Sequence, residues 1–209
     1  RLEGWDGAMD KNLVPPTIYS AFRLHLNRKL LQHILGPVAE KALSKTGRGA
    51  PFHMRQLEAI FPNMAKENET SVLPPGEDWK SLMAKALADA VNYLKKRLGN
   101  DMDSWTWGSV HFTRPKHPLS DLFPEMATLL DPPSIPMSGD GDTPQAASYA
   151  ASQPFIVTGS SVARYVFDTS SWDNSRWIVP LGSSGNPGSP HYADQAPIWG
   201  DLKLIPMLF

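Results

Sequence analysis

Two segments of the chain carry apolar residues at helical spacing. In residues 17–35 these side chains lie four positions apart: Ile18, Phe22, Leu26, Leu30 and Ile34. This spacing predicts a helix with one buried face. Pro15 and Pro16 suit its first turn, because N–H groups there have no helical acceptor. Gly36 and Pro37 are expected to end it.

The second helical segment, residues 78–98, has the more continuous stripe: Trp79, Leu82, Met83, Ala86, Leu87, Ala90, Val91 and Leu94. The cations at 95–97 suit the negative end of the helix dipole, and Gly99-Asn100 suits a cap. We expect the two helices to form an antiparallel hairpin. Shorter helices are predicted at Met54–Phe61, ending at Pro62, and near Asp121–Leu130.

Strand-like patterns are concentrated in the last third of the chain. After an alternating stretch at Trp105, Trp107, Val110 and Phe112, apolar and β-branched runs occupy residues 155–158, 162–169, 177–180 and 202–208. Helices followed by strands predict the α+β class. We divide the chain into a mainly helical part (1–103), proline-rich loops with a short helix (104–153), and closing strands with a Gly/Pro loop (154–209). So few strands need partners from elsewhere.

Composition excludes several classes of protein. A hydrophobic fraction of 41% indicates a globular chain, and a formal net charge of −1 gives no electrostatic reason to expect nucleic acid or an anionic membrane. No run of about 18 apolar residues is present, so no membrane span is expected. There is no cysteine. Since the sequence starts abruptly at Arg1, we interpret it as a piece of a larger polypeptide.

A loop rich in glycine and proline, residues 182–199, contains the most reactive side chains. It reads G-S-S-G-N-P-G-S-P-H-Y-A-D-Q-A-P-I-W and is called the motif loop below. Its glycines can take positive φ without a steric penalty and its prolines fix φ near one value, so we expect the loop to have a defined shape. Ser183 or Ser184 with His191 and Asp194 allow a serine-hydrolase hypothesis, but the glycines do not form the G-x-S-x-G elbow. Structural hydrogen bonding is the favoured interpretation.

Two further constellations have competing interpretations. Asp140 and Asp142 have the D-x-D spacing of calcium loops, but no closing Glu follows, so an exposed turn is favoured. Trp105 and Trp107 could form a face on which sugars stack, although buried aromatic residues are commoner. Taken alone, no constellation amounts to an active site.

Several short motifs together resemble the carboxy-terminal part of the penicillin acylase (penicillin amidase) family of N-terminal-nucleophile hydrolases. The resemblance covers nearly all 209 residues. Within the motif loop the family pattern is Ser-Gly-Asn-Pro, Ser-Pro-His-Tyr and Asp-Gln, followed by a Trp. Its residues here are Gly182, Ser184, Gly185, Asn186, Pro187, Ser189, His191, Tyr192, Asp194, Gln195 and Trp199. Outside the loop the matching residues are Trp5-Asp6-Gly7, Trp107-Gly108 with His111, His117-Pro118-Leu119, and Gly139-Asp140 with Thr143.

The resemblance implies an αββα sandwich and an amide hydrolase made as a self-cleaving precursor. Its nucleophile would be an amino-terminal serine upstream of this chain, so no catalytic or metal residue is assigned here; calcium is possible in the full-length enzyme, with upstream ligands. The partners would be the smaller chain, the rest of the larger chain and a small amide substrate, without nucleic acid or membrane.

The resemblance also favours the periplasm or secretion, and it predicts that this chain alone is inactive. It leaves the acyl group open among penicillin side chains, glutaryl groups and acyl-homoserine lactones. The alternative function is a stand-alone carbohydrate- or peptide-binding module that uses the Trp105/Trp107 face. Hydrolysis at Ser184, His191 and Asp194 is a third hypothesis.

Overall fold

A computed structural model of the protein describes residues 1–43 and 59–207. These residues form two compact units. Unit 1 comprises Arg1–Val110 and Tyr149–Phe155, and unit 2 comprises His111–Ser148 and the chain from Ile156 onward.

Unit 1 is helical. Its elements are α1 (Pro15–Leu35), α2 (Ala39–Leu43), α3 (residues 59–66), α4 (Trp79–Leu98) and α5 (Trp107–Val110), with 3-10 turns at Gly36–Val38 and Met102–Ser104. The ends of α4 are as predicted. Asp78 accepts a hydrogen bond from the Ser81 N–H at 2.6 Å, and Gly99, at φ 88°, donates to the Lys95 carbonyl. Such side-chain and glycine caps satisfy groups that the helix itself leaves unpaired.

Contacts between α1 and α4 show that the hairpin is antiparallel. The rings of His25 and Tyr93 lie 5.5 Å apart between centroids, and Lys29 Nζ lies 2.6 Å from Asp89 Oδ2. Four residues forward along α1 therefore correspond to four residues backward along α4. The Lys29 ammonium also lowers the pKa of Asp89 by hydrogen bonding to its carboxylate.

Helix α1 is buried on more than the one face predicted from its spacing. Ile18, Leu24 and Leu31 join a cluster with the carboxy-terminal half of α4, whereas Leu26 and Leu30 join one with its amino-terminal half. The buried positions include three polar residues, Thr17, Ser20 and Asn27. Ile34, expected on the apolar stripe, is 47% exposed.

The aromatic residues after α4 form the centre of unit 1. Trp105, Trp107 and Phe155 are fully buried, and the Phe155 ring meets those of Trp107 and Tyr149 edge to face at 5.8 and 5.4 Å. Trp107 begins the helical turn α5, so the strand-like alternation predicted here is wrong. The two-residue spacing of Trp105 and Trp107 reflects burial of both rings in a core and not the pleat of a strand.

The predicted short helices differ from the observed ones at two prolines. Helix α3 continues through Pro62 to residue 66, so the predicted end at Pro62 is wrong; residues 54–58 of that prediction lie outside the described part. The predicted helix at 121–130 is interrupted at Phe123, which precedes Pro124 and takes φ −129° and ψ 73°.

Unit 2 consists of short elements. Its helical elements are the 3-10 turns Pro118–Asp121, Pro124–Met126 and Trp172–Asn174, and the helices α6 (Ala127–Leu130) and α7 (Ala196–Gly200). Its strands are β2 (Val157–Ser160), β3 (Arg164–Val166), β4 (Arg176–Ile178) and β5 (Ile205–Pro206). Strand β1 (Ala147–Tyr149) pairs with β2 in a two-stranded sheet.

The second sheet has the order β3-β4-β5, with both pairs antiparallel. Tyr165 lies opposite Trp177, and Trp177 lies opposite Ile205. The core of unit 2 contains Met137, Ala147, Ile178 and Trp199.

Strands β3 and β5 are shorter at both ends than the predicted ranges 162–169 and 202–208, whereas β2 and β4 are displaced along the chain from the predicted 155–158 and 177–180. Phe155 lies outside β2 with φ 74°, and Leu202 lies before β5 with φ 59°; neither angle fits an extended strand. Residue 208 lies beyond the described part. Helices and small antiparallel sheets confirm the α+β class, whereas the αββα sandwich stays a prediction. Within residues 1–43 and 59–207, no helix is long and apolar enough to cross a membrane.

Candidate functional site

The motif loop connects β4 to β5 within unit 2 and is held at its far end by a helical turn. The Gln195 N–H donates to the Leu181 carbonyl at 2.9 Å, and the Trp199 N–H donates to the Gln195 carbonyl at 2.8 Å. The final residues therefore form α7, although the sequence predicted an irregular loop up to Trp199.

Side chains provide hydrogen-bond acceptors where prolines and turns prevent a regular ladder. Three of them accept from the N–H two residues ahead: Ser184 Oγ from Asn186, Asn186 Oδ1 from Gly188, and Ser189 Oγ from His191, at 3.0–3.1 Å. Serine and asparagine readily form these local turns. The conformation of the loop thus follows from its own sequence.

Gly182 is required by close approach and not by its φ angle. A Cβ atom built at this position would lie 2.1 Å from the His191 carbonyl oxygen and 2.7 Å from Asp194 Oδ1. Gly182, Gly185 and Gly188 do not use their freedom to take positive φ; the described glycines with positive φ lie elsewhere in the chain. Gly185 has open space around it.

Two side chains of the loop bond to backbone groups outside it. Gln195 Oε1 accepts from the Val179 N–H at 3.3 Å, and the Tyr192 hydroxyl donates to the Leu130 carbonyl at 2.6 Å. Burial, with a smaller contribution from the charge of Asp131, raises the pKa of Tyr192. Gln195 therefore satisfies a backbone group as expected.

His191 and Asp194 pair with each other and do not serve the backbone in this way. Nδ1 of His191 lies 2.9 Å from Oδ2 of Asp194, and both side chains are substantially exposed. Ser184 Oγ accepts from the Asn186 N–H, and among the described residues no hydrogen bond joins this oxygen to the His191 ring. The three residues lie close in the chain but do not form the Ser–His–Asp relay of a serine hydrolase.

Arg164 is an element of this region that the sequence did not reveal. Its guanidinium lies 4.7 Å from the centroid of the Trp199 ring, and Nη1 donates to the Trp199 carbonyl at 2.5 Å. Burial lowers the pKa of Arg164. The two residues are 35 positions apart, so no local pattern could pair them; the stacking fixes α7 against β3.

The other predicted constellations have structural roles or none. Trp105 and Trp107 are fully buried, which contradicts a binding face made by these two side chains; Trp105 Nε1 instead donates to the Gly99 carbonyl. Asp140 is buried, which contradicts the exposed turn expected there, and its Oδ1 accepts from the Gly141 N–H at 2.6 Å; Asp142 is exposed as expected. Within the residues that the structure describes, no group of three or more His, Asp or Glu side chains could hold a metal ion.

Comparisons with known proteins extend this description beyond the motif loop. The sequence model of the penicillin amidase family matches residues 1–209. The chain is 37% identical over 214 residues to penicillin acylase 2 proenzyme of Pseudomonas sp. (strain SE83). This alignment covers 100% of this chain and 26% of that protein. It is 27% identical over 213 residues to acyl-homoserine lactone acylase QuiP of Pseudomonas aeruginosa, with 95% of this chain and 25% of that protein covered.

A second QuiP protein, from Pseudomonas syringae pv. syringae, is 23% identical over 215 residues, covering 99% of this chain and 26% of that protein. The chain thus spans about a quarter of the length of these curated relatives. Because the family model matches all of residues 1–209, the chain belongs to the penicillin amidase family.

Proposed function

We propose that this chain is the carboxy-terminal structural part of an amide hydrolase that removes acyl groups from penicillin-like or related linear amides. The observation that carries the proposal is the family match over residues 1–209. The names of two relatives, a penicillin acylase and an acyl-homoserine lactone acylase, support acyl transfer to water as the reaction class.

In the proposed reaction the nucleophile is an amino-terminal serine elsewhere in the longer polypeptide, with its own α-amine as base. Its hydroxyl attacks the amide carbon, the amine leaves, and water then hydrolyses the acyl ester. The role of this chain is to supply helices and closing strands of an αββα sandwich. Consistent with that role, the motif loop has self-contained turns and no assembled nucleophile.

The remaining features of the proposal are taken from the family resemblance. The partners of this chain are the smaller chain and the rest of the larger chain of one precursor, and the enzyme is periplasmic or secreted. Any calcium has its ligands outside this chain, and this chain alone does not turn over substrate.

The experiment replaces Ser184 in the polypeptide encoded by the complete gene. Ser184→Ala removes one acceptor for the Asn186 N–H and leaves the proposed nucleophile intact, so we expect kcat for a chromogenic phenylacetyl amide to stay within about twofold. Ser183→Ala is the matched control, because this neighbouring serine is exposed. A fall in kcat of about 10³-fold or more for Ser184→Ala alone would place the nucleophile in the motif loop and refute the proposal.

The substrate class is tested on the same preparation with two amides. Hydrolysis of the phenylacetyl amide in preference to a long-chain acyl-homoserine lactone would match the activity named for the relative with 37% identity. The reverse preference would match the activity named for the relative with 27% identity. Hydrolysis of neither amide would contradict the proposed reaction class.

A further inference from the structure

Unit 2 exposes an ordered row of four aromatic rings, which we call the aromatic face: Tyr165, Phe167, Trp172 and Trp177. The Tyr165 and Phe167 rings are parallel within 3° at 5.8 Å between centroids. The Tyr165 and Trp177 rings stack across β3 and β4 at 6.4 Å and 16°. The Phe167 ring meets that of Trp172 edge to face at 6.4 Å. The four rings thus form one continuous row of contacts.

The aromatic face lies on the side of the sheet away from the core of unit 2. Ile178 is fully buried in that core, and side chains alternate along a strand, so Trp177 points to the opposite side. Tyr165, Phe167 and Trp172 are 52%, 57% and 55% exposed. Since a large aromatic side chain has roughly 200 Å² of surface, these three rings together expose about 300 Å².

Strand β3 is also unprotected along its outer edge. It is the first strand in the order β3-β4-β5, and within the described residues no other strand pairs with it. Natural proteins usually protect such edges with lysine, proline, a bulge or a covering element. Val166 on the other side of β3 is 54% exposed as well. The strand is therefore open at its edge and over much of both faces.

We propose that the rest of the polypeptide covers the aromatic face and adds a strand beside β3. This rests on the proposed function, in which the chain is part of a longer enzyme, and on the quarter of its relatives' length that it spans. A second copy fits less well. A second copy seated on these rings would bury about 300 Å² on each side, against about 800 Å² per partner in a stable interface, and would also lose its translational and rotational freedom; a segment joined to the same polypeptide does not bear that cost.

Oxidative footprinting of the polypeptide encoded by the complete gene tests the proposal. Hydroxyl radicals label exposed rings, and mass spectrometry reads the rate for each peptide. We expect Tyr165, Phe167 and Trp172 to react at least about tenfold more slowly in the folded protein than in the unfolded one, as water-excluded interface residues do. Trp199, 1% exposed here, is the internal standard for full protection.

Rates within about threefold of the unfolded protein at the aromatic face, with Trp199 protected, would overturn the proposal. Protection that disappears on dilution, together with a fall in molecular mass from two copies of the complete enzyme to one, would also overturn it and assign the face to a second copy. Amide hydrolysis is measured on the same preparation. An active enzyme with oxidisable rings contradicts only this proposal, whereas an inactive protein with protected rings contradicts only the proposed function.

Paired substitutions separate docking from a general effect on β3. Tyr165→Ser removes the ring that contacts both Phe167 and Trp177, and we expect the oxidation rate of Trp172 to rise at least about threefold as the cover loosens. Val166→Ser is the matched control, because Val166 is on the same strand with nearly the same exposure but points the other way. Equal rises in both variants would contradict docking at the aromatic face. If neither variant folds, the wild-type footprint still decides.

Discussion

Replacing Gly182 by alanine tests whether the motif loop depends on the close approach of Gly182 to His191. The new methyl carbon would lie 2.1 Å from the His191 carbonyl oxygen, far inside the separation of about 3.5 Å at which non-bonded atoms attract. This neighbour is backbone, so it cannot move away by changing a rotamer. The His191 carbonyl also accepts the Ser184 N–H at 3.0 Å, and displacing it would break that bond.

The expected loss of stability is a sum of separate effects. Inserting a methyl group into well-packed surroundings costs about 1–3 kcal/mol, and the lost Ser184–His191 backbone bond adds about 1 kcal/mol. The exposed pair of His191 and Asp194 contributes at most about 1 kcal/mol. Gly182→Ala should therefore lower the free energy of unfolding by about 2–5 kcal/mol.

The assay is urea unfolding of the complete polypeptide, followed by tryptophan fluorescence, with Gly185→Ala as the matched control. Gly185 lies three residues away in the same loop and has nothing within 4 Å of its added Cβ. Its φ is not positive, so alanine there should be neutral or stabilise by up to about 1 kcal/mol, through the unfolded chain. Equal midpoints for the two variants, at equal m-values, would refute the close-approach argument.

Two further predictions concern unit 1. Phe155→Ala should lower the free energy of unfolding by about 3–5 kcal/mol, because the ring is fully buried. Phe123→Ala is the control: its ring is 47% exposed, so its loss should cost less than about 1 kcal/mol. Similar losses of stability in the two variants would contradict the assigned core. Burial, followed by the charge of Arg28, lowers the pKa of His25 in the folded protein. The unfolded chain therefore binds a proton at His25 more readily than the folded protein does. The stability present above about pH 6.5 should thus decline as the pH falls through that value. His25→Gln should make stability between pH 7.5 and pH 5.5 less dependent on pH, as measured by urea unfolding at each pH; an unchanged pH dependence would show that other groups are responsible.

Local sequence determined the elements whose hydrogen bonds close within a few residues. Helix α4 has its predicted range and cap because its spacing, Asp78 and Gly99 all act within one or two turns. Five of its eight predicted stripe residues are buried, whereas Leu87 is 37% exposed. The turns of the motif loop are equally local, since Ser184, Asn186 and Ser189 each accept from the residue two positions ahead. The family resemblance was also present in the sequence, in the spacing of that loop.

Tertiary structure decided the features that depend on distant neighbours. Trp107 lies in a helical turn and not in a strand, because its ring packs against Phe155 across nearly fifty residues of chain. Gly182 is needed for the approach of His191, and Arg164 is held by Trp199. Periodicity describes which residues avoid water, but it does not identify the surface that covers them. Packing therefore settled the core and the ends of the strands.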